Sequence, residues 1–154
     1  MPEAPPSQPQ AVLFACALNA VRSPMAAALL KQMSGTTLYI ASAGVRAGEL
    51  DPFAVAVMEE IGIDIAAHRP TTFEDLEDLE GLNFDLIVTL APEAHHRALE
   101  VTRLSSVEVE YWPTADPTAI EGNREQRLDA YRAVRDQLMA RIRERFAGPG
   151  IGNE

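Results

Sequence analysis

The stretch Ala11-Val12-Leu13-Phe14-Ala15-Cys16-Ala17-Leu18-Asn19-Ala20-Val21-Arg22-Ser23 decides how this chain folds. Its first five residues are apolar without alternation, the pattern of a strand buried on both faces of a parallel sheet. The next residues turn polar. From residue 23 to 33 the pattern is helical, with Pro24 near the first turn, where proline is tolerated. Further out, residues 37–42 (TLYIAS) predict a second strand closed by Ala43-Gly44. Asp51-Pro52 predicts an N-cap and first-turn pair for a helix running to Ile61, with Gly62 as its stop. Residues 73–81 are acidic and predict a short helix or turn with a solvated face. Residues 84–90 (FDLIVTL) predict a third buried strand and residues 92–99 a helix. Residues 107–111 (VEVEY) alternate, as an edge strand does. Residues 123–146 carry a 3.6-residue period, with Leu128, Tyr131, Val134, Leu138, Ile142 and Phe146 on one face. Strands alternating with helices predict an α/β fold: a single-domain, four-stranded parallel sheet with helices on both faces. The domain is expected over residues 11–146, between a disordered Pro-rich tail at 1–10 and a flexible tail at 147–154.

The chain has 154 residues, a hydrophobic fraction of 47% and a charge of −10, from 13 Lys+Arg against 23 Asp+Glu. That is enough apolar content for a core and excludes wholesale disorder. An acidic surface repels nucleic acid and anionic lipid, so neither is expected as a partner. No apolar run approaches the ~20 residues that span a bilayer. The first residues, MPEAPPSQPQ, lack the basic and apolar regions of a signal peptide. Cys16 is the single cysteine, which excludes an internal disulfide and a cysteine metal cluster. A cytoplasmic location is the expectation.

The loop after the first strand carries the chemistry. Ligands of open α/β sheets bind at the carboxyl ends of the strands. A loop that passes from a strand into a helix N-terminus turns several N–H groups into one hollow, and donors and dipole together favour an anion. Ala17, Leu18, Asn19, Ala20 and Val21, with Arg22 and Ser23, are therefore the candidate phosphate-binding segment. The same donors favour the thiolate of Cys16, the nucleophilic form. Arg22 offers a planar fork for two oxygens. Ser23 can donate to the thiolate, and Asn19 tolerates a left-handed turn. A second candidate is Asp116 in Asp116-Pro117, a carboxyl that can protonate a leaving oxygen. Asp85 and Asp129 stand in reserve. Trp112-Pro113 reads as packing. His68, His95 and His96 lack metal-ligand spacing and are expected in solvated or capping roles, so no metal is expected, and chemistry by Cys16, Arg22 and Asp116 requires no organic cofactor.

These residues resemble the low-molecular-weight protein tyrosine phosphatases and the related thioredoxin-coupled arsenate reductases. The likeness rests on Cys16-x-x-Asn19-x-x-Arg22-Ser23 followed by Pro24-Met25-Ala26. It continues through Ser42-Ala43-Gly44, Gly62-Ile63-Asp64, His68-x-Pro70, Phe84-Asp85 and Asp116-Pro117. It implies a flavodoxin-like sheet with the phosphatase P-loop after the first strand. It also implies Cys16, Arg22 and Asp116 as catalytic residues and loop support by Asn19, Ser23 and Ser42, with Ser42 bonded to Asn19. The chain departs from the family pattern at several points. Val21 stands where many members have a second cysteine, and Leu18 where many have glycine. Residues 45–48 and Thr118-Ala119 lack the aromatic wall of phosphotyrosine-specific members. The region 111–135 looks closer to the reductases, yet Ala91 and Ala98 stand where their relay cysteines fall.

The expected function is a phosphomonoester hydrolase acting through a cysteinyl-phosphate intermediate. Its partners would be a phosphorylated protein or small phosphomonoester, with inorganic phosphate or arsenate as ligand. The alternatives are a single-cysteine arsenate reductase coupled to mycothiol or glutathione and glutaredoxin, and a non-catalytic oxyanion-binding module.

Overall fold

The computed structural model describes residues 8–147. Residues 1–7 and 148–154, which hold most of the two expected tails, lie outside the described residues. Four strands form one sheet: β1 (Ala11–Cys16), β2 (Tyr39–Gly44), β3 (Leu86–Thr89) and β4 (Glu108–Tyr111). All pairings are parallel, in the order β2-β1-β3-β4. β1 therefore lies between two neighbours and under helices on both sides, which is why its apolar run is unbroken. Side chains alternate across a strand. Val12, Phe14 and Cys16 enter one cluster, shared with α1 (Arg22–Ser34), α2 (Pro52–Glu59) and α5 (Arg124–Phe146). Leu13 and Ala15 enter the other, shared with α3 (Phe73–Glu80) and α4 (Pro92–Val101). The order reverses at β1: the chain leaves it first for β2 and later returns to β3 on the opposite side, a topological switch point.

Local chemistry accounts for the ends of the elements. Asp51 caps α2, its Oδ1 accepting from Phe53 N at 2.8 Å. Thr72 with Asp75, and Asn123 with Gln126, form capping boxes on α3 and α5. β2 starts two residues later than the expected span of 37–42. Thr37 is drawn back onto the end of α1, its N and Oγ1 both donating to Ser34 O, so pairing begins at Tyr39, which donates to Gln10 O. Ala43 and Gly44, expected to close the strand, are part of its ladder, opposite Ala15 and Cys16. β4 is the edge its alternation predicts.

α5 closes one face. Trp112 packs edge-on against Phe14 and Phe146, a packing role that its place in the sequence suggested. Arg132 and Arg135 converge on Glu60 and hold its carboxyl down to about 2. Among the described residues, no helix is long and apolar enough to cross a membrane.

Candidate active site

Residues 17–21 leave β1 and enter α1 as an open loop whose backbone is held from outside. The segment after β2 donates inward: Val45 N to Cys16 O, Arg46 N to Ala17 O, Gly48 N to Leu18 O and Asp51 N to Ala20 O, at 2.9–3.2 Å. With the carbonyls engaged on the outer side, the amides of residues 18–22 donate to no backbone carbonyl among the described residues. Such a run of donors at a helix N-terminus has the geometry that suits an oxyanion. Gly44 permits the close approach. A Cβ there would stand 2.5–2.9 Å from the backbone of Arg46, Asn19 and Leu18.

Asn19 holds the loop from within. Among the described residues it is the one non-glycine in the left-handed region, at φ 54°, and it is fully buried. Its Nδ2 donates to Ser23 Oγ at 2.8 Å and to Ser42 Oγ at 2.9 Å. Its Oδ1 accepts from Thr71 N at 2.9 Å and meets His68 Nε2 at 3.0 Å. One side chain thus ties the loop to α1, to β2 and to the turn before α3.

Cys16 Sγ lies 2.9 Å from Ser23 Oγ. Arg22 is nearly buried, and its Nη1 donates to Thr114 O at 2.9 Å, which fixes the plane of the guanidinium. Its Nη2 stands 4.0 Å from Asp116 Oδ2. The other Asp116 oxygen, Oδ1, accepts from Thr118 N and Thr118 Oγ1, because Asp116 caps the single 3-10 turn Pro117–Ala119. Oδ2 is left facing Arg22. Cys16 and Arg22, six residues apart, and Asp116, distant from both in sequence, line one cleft of about 290 Å³ with Ala17, Leu18, Ala20 and Val21. Asn19, Ser23 and Ser42 are buried around the loop and are not part of the cleft lining. The reserve carboxylates are occupied elsewhere. Asp85 binds Gln10 N and Ala11 N at the amino end of the sheet, opposite the cleft, and Asp129 pairs with Arg132.

The rest of the cleft wall comes from Glu49, Leu50, Asp51, Pro52 and Thr118, none of them aromatic. Beyond it Arg46 and Glu93 form a bidentate pair at 2.8 and 3.2 Å. Arg46, and more weakly Arg22, hold the Glu93 carboxyl below the usual carboxylate range. This pair joins the loop after β2 to the first turn of α4. Ala91 and Ala98 are both buried, Ala98 completely.

The expectation of solvated histidines holds for the exposed His96 and needs correction for the other two. His68 is half-buried against Asn19, and burial lowers its pKa. His95 Nδ1 lies 2.9 Å from Thr89 Oγ1, and the ring stacks on Tyr111 at 4.7 Å. Isolated histidines have no periodic signature, so their contacts were invisible in the sequence. The His68-x-Pro70 pattern was the available signal. Thr71 and Thr114 contribute through backbone atoms, which leave no sequence trace. Among the described residues, no group of three His, Cys, Asp or Glu side chains is arranged to hold a metal ion.

The family described as "Low molecular weight phosphotyrosine protein phosphatase" matches residues 11–147. An arsenate reductase of Bacillus subtilis (strain 168) is 35% identical over 140 residues, covering 90% of this chain and 96% of that protein. A glutaredoxin arsenate reductase of Synechocystis sp. is 28% identical over 136 residues, covering 88% and 95%. The crystal structure of a tyrosine phosphatase from Erwinia amylovora shares the fold. Its TM-score is 0.74 and its identity 22%, over 94% of this chain and 95% of that one.

Proposed function

Because the chain belongs to the low molecular weight phosphotyrosine protein phosphatase family, we propose that it is a phosphomonoester hydrolase that works through a cysteinyl-phosphate intermediate. The observation that carries this reading is the meeting of Cys16, Arg22 and Asp116 in one cleft over a loop of free amides. The Cys16 thiolate attacks phosphorus in line. The S–P bond forms as the P–O bond breaks, and the departing oxygen takes the bonding pair and a proton from Asp116. Arg22 and the loop amides hold the equatorial oxygens while charge shifts onto them. Water then attacks phosphorus, giving its proton to the Asp116 carboxylate, and the S–P pair returns to Cys16 as thiolate. Ser23, 2.9 Å from Sγ, donates to that thiolate as it leaves. Thr114 O fixes Arg22 in advance, so little reorganisation is needed on binding. The substrate is a phosphorylated protein or a small phosphomonoester. A cytoplasmic location follows from a catalytic thiol that has to stay reduced.

A second reading is a single-cysteine arsenate reductase, in which mycothiol or glutathione with a glutaredoxin supplies the sulfur that this chain lacks. The names of the 35% and 28% identical relatives favour it. One purified sample decides between the two, assayed for aryl phosphate hydrolysis and for arsenate reduction with each thiol system. Hydrolysis without reduction is expected. Robust reduction with mycothiol or glutathione, beside negligible hydrolysis of any phosphomonoester, overturns the proposal. Failure of both, with arsenate still bound, leaves the oxyanion-binding module.

A further inference from the structure

Just beyond the cleft wall, the helix that closes the fold presents two arginines where helix electrostatics disfavours them. Arg124 and Arg127 lie in the first turns of α5, at its positive end, where acidic side chains are the stabilising choice. Neither makes an ion pair with a carboxylate among the described residues, although the chain carries 23 Asp+Glu. Both guanidiniums instead sit over the Phe53 ring, 5.3 Å and 4.6 Å from its centroid. Phe53 is itself held edge-on against Tyr131, 5.4 Å away, and the Tyr131 hydroxyl donates to Asp51 at 2.6 Å. Asp51 and Pro52 line the cleft, so the platform under the arginines begins one residue outside it. The ring contact tethers both side chains, and both residues are exposed to solvent, so their N–H groups are open to a ligand.

We propose that Arg124 and Arg127 on Phe53 form a subsite for an acidic protein segment that flanks the phosphorylated residue, two carboxylates meeting the two guanidinium edges. The proposal rests on the phosphomonoesterase reading and supplies its substrate class: phosphoproteins with Asp or Glu near the phosphorylated residue. Charge argues for this occupant. An acidic segment is repelled by a chain of net charge −10 unless it meets a local positive surface. Here Arg124 and Arg127 supply two cations that no carboxylate pairs with among the described residues, at the N-terminus of α5; Glu125 of the same turn is engaged by Arg132, while Glu49 and Asp51 belong to the neighbouring cleft wall.

The test compares two synthetic phosphotyrosyl peptides, one with Asp and Glu flanks and one with Ser and Ala flanks. Binding is read by fluorescence anisotropy on Cys16→Ser protein, so that turnover does not interfere. The acidic peptide is expected to bind about three- to tenfold tighter at low ionic strength, with the advantage shrinking in salt. Arg124→Glu/Arg127→Glu should abolish or invert the preference. Arg141→Glu makes the same kind of charge change on Trp112, roughly 21 Å along the helix from Arg127 at 1.5 Å per residue. It should keep the preference, and thermal melts check that each variant folds. Equal binding of the two peptides, or equal loss in the Arg141→Glu protein, overturns the subsite. Absence of hydrolysis of both p-nitrophenyl phosphate and alkyl phosphomonoesters by the unmodified protein is a separate result. It sinks the phosphomonoesterase reading, while the anisotropy still decides the subsite.

Discussion

Replacing Asn19 by alanine tests whether one buried amide holds the anion loop in shape. The substitution removes four hydrogen bonds, to Ser23, Ser42, Thr71 and His68. At about 1 kcal/mol net for each, the loss is about 4 kcal/mol. Alanine at φ 54° adds about 1 kcal/mol of backbone strain. Some of the orphaned groups will find each other or water, so the expected destabilisation is about 3–5 kcal/mol. Glycine at the same position relieves the strain and should recover about 0.5–1 kcal/mol of the loss, the remainder belonging to the hydrogen bonds. Trp112, the single tryptophan and a buried one, reports unfolding in urea by its fluorescence. Phosphate protection of Cys16 from iodoacetamide, measured in parallel, should disappear in both variants, because the amides lose their common aim. A destabilisation below about 1 kcal/mol in the alanine variant, or full recovery in the glycine variant, refutes the reasoning.

Gly44→Ala forces a Cβ to within 2.5–2.9 Å of backbone atoms of the loop; it should abolish turnover while the protein stays folded, and a variant with normal kinetics would show that the loop yields. Asp116→Asn should slow hydrolysis of phosphomonoesters with poor leaving groups by roughly 10²–10⁴-fold and affect good leaving groups less in the P–O cleavage step; equal rates on poor leaving groups would move the acid elsewhere. Burial lowers the pKa of His68 below its ordinary 6.5, so the unfolded chain binds that proton first. The His68 contribution is therefore complete above about pH 6.5 and is lost as pH falls through the lower folded-state value. Urea midpoints taken from pH 7.5 downward should drop more steeply for the unmodified protein than for His68→Gln, and parallel curves would contradict this. Thioredoxin, its reductase and NADPH should support no arsenate reduction, because exchange needs a thiol at each step and Cys16 is the chain's single cysteine; measurable NADPH oxidation with arsenate would refute it.

Much of this was legible in one dimension because the information was local. An unbroken apolar run has few uses besides a central parallel strand, and β1 is one. Asp51 before Pro52 is a cap by its chemistry alone. The spacing from Cys16 to Ser23 marked the candidate anion loop, since a strand that turns into a helix within a few residues must gather its amides. Other features depend on contacts between residues distant in sequence. Nothing near His68 says that its ring meets Asn19, and nothing near Thr114 says that its carbonyl will orient Arg22. The start of β2 moved because Thr37 folds back onto the end of α1, a competition between neighbours that propensity does not weigh. Phe53 looked like an ordinary helix residue until α5, more than 70 residues later, laid two arginines across it. Composition and periodicity determined the elements and their layers, and spacing marked the loop between β1 and α1, because each follows from how a short segment meets water and its own backbone. The tertiary structure alone decided which carboxylate faces Arg22, what holds Asn19 and which charges border the cleft, because those depend on where separate elements come to rest against one another.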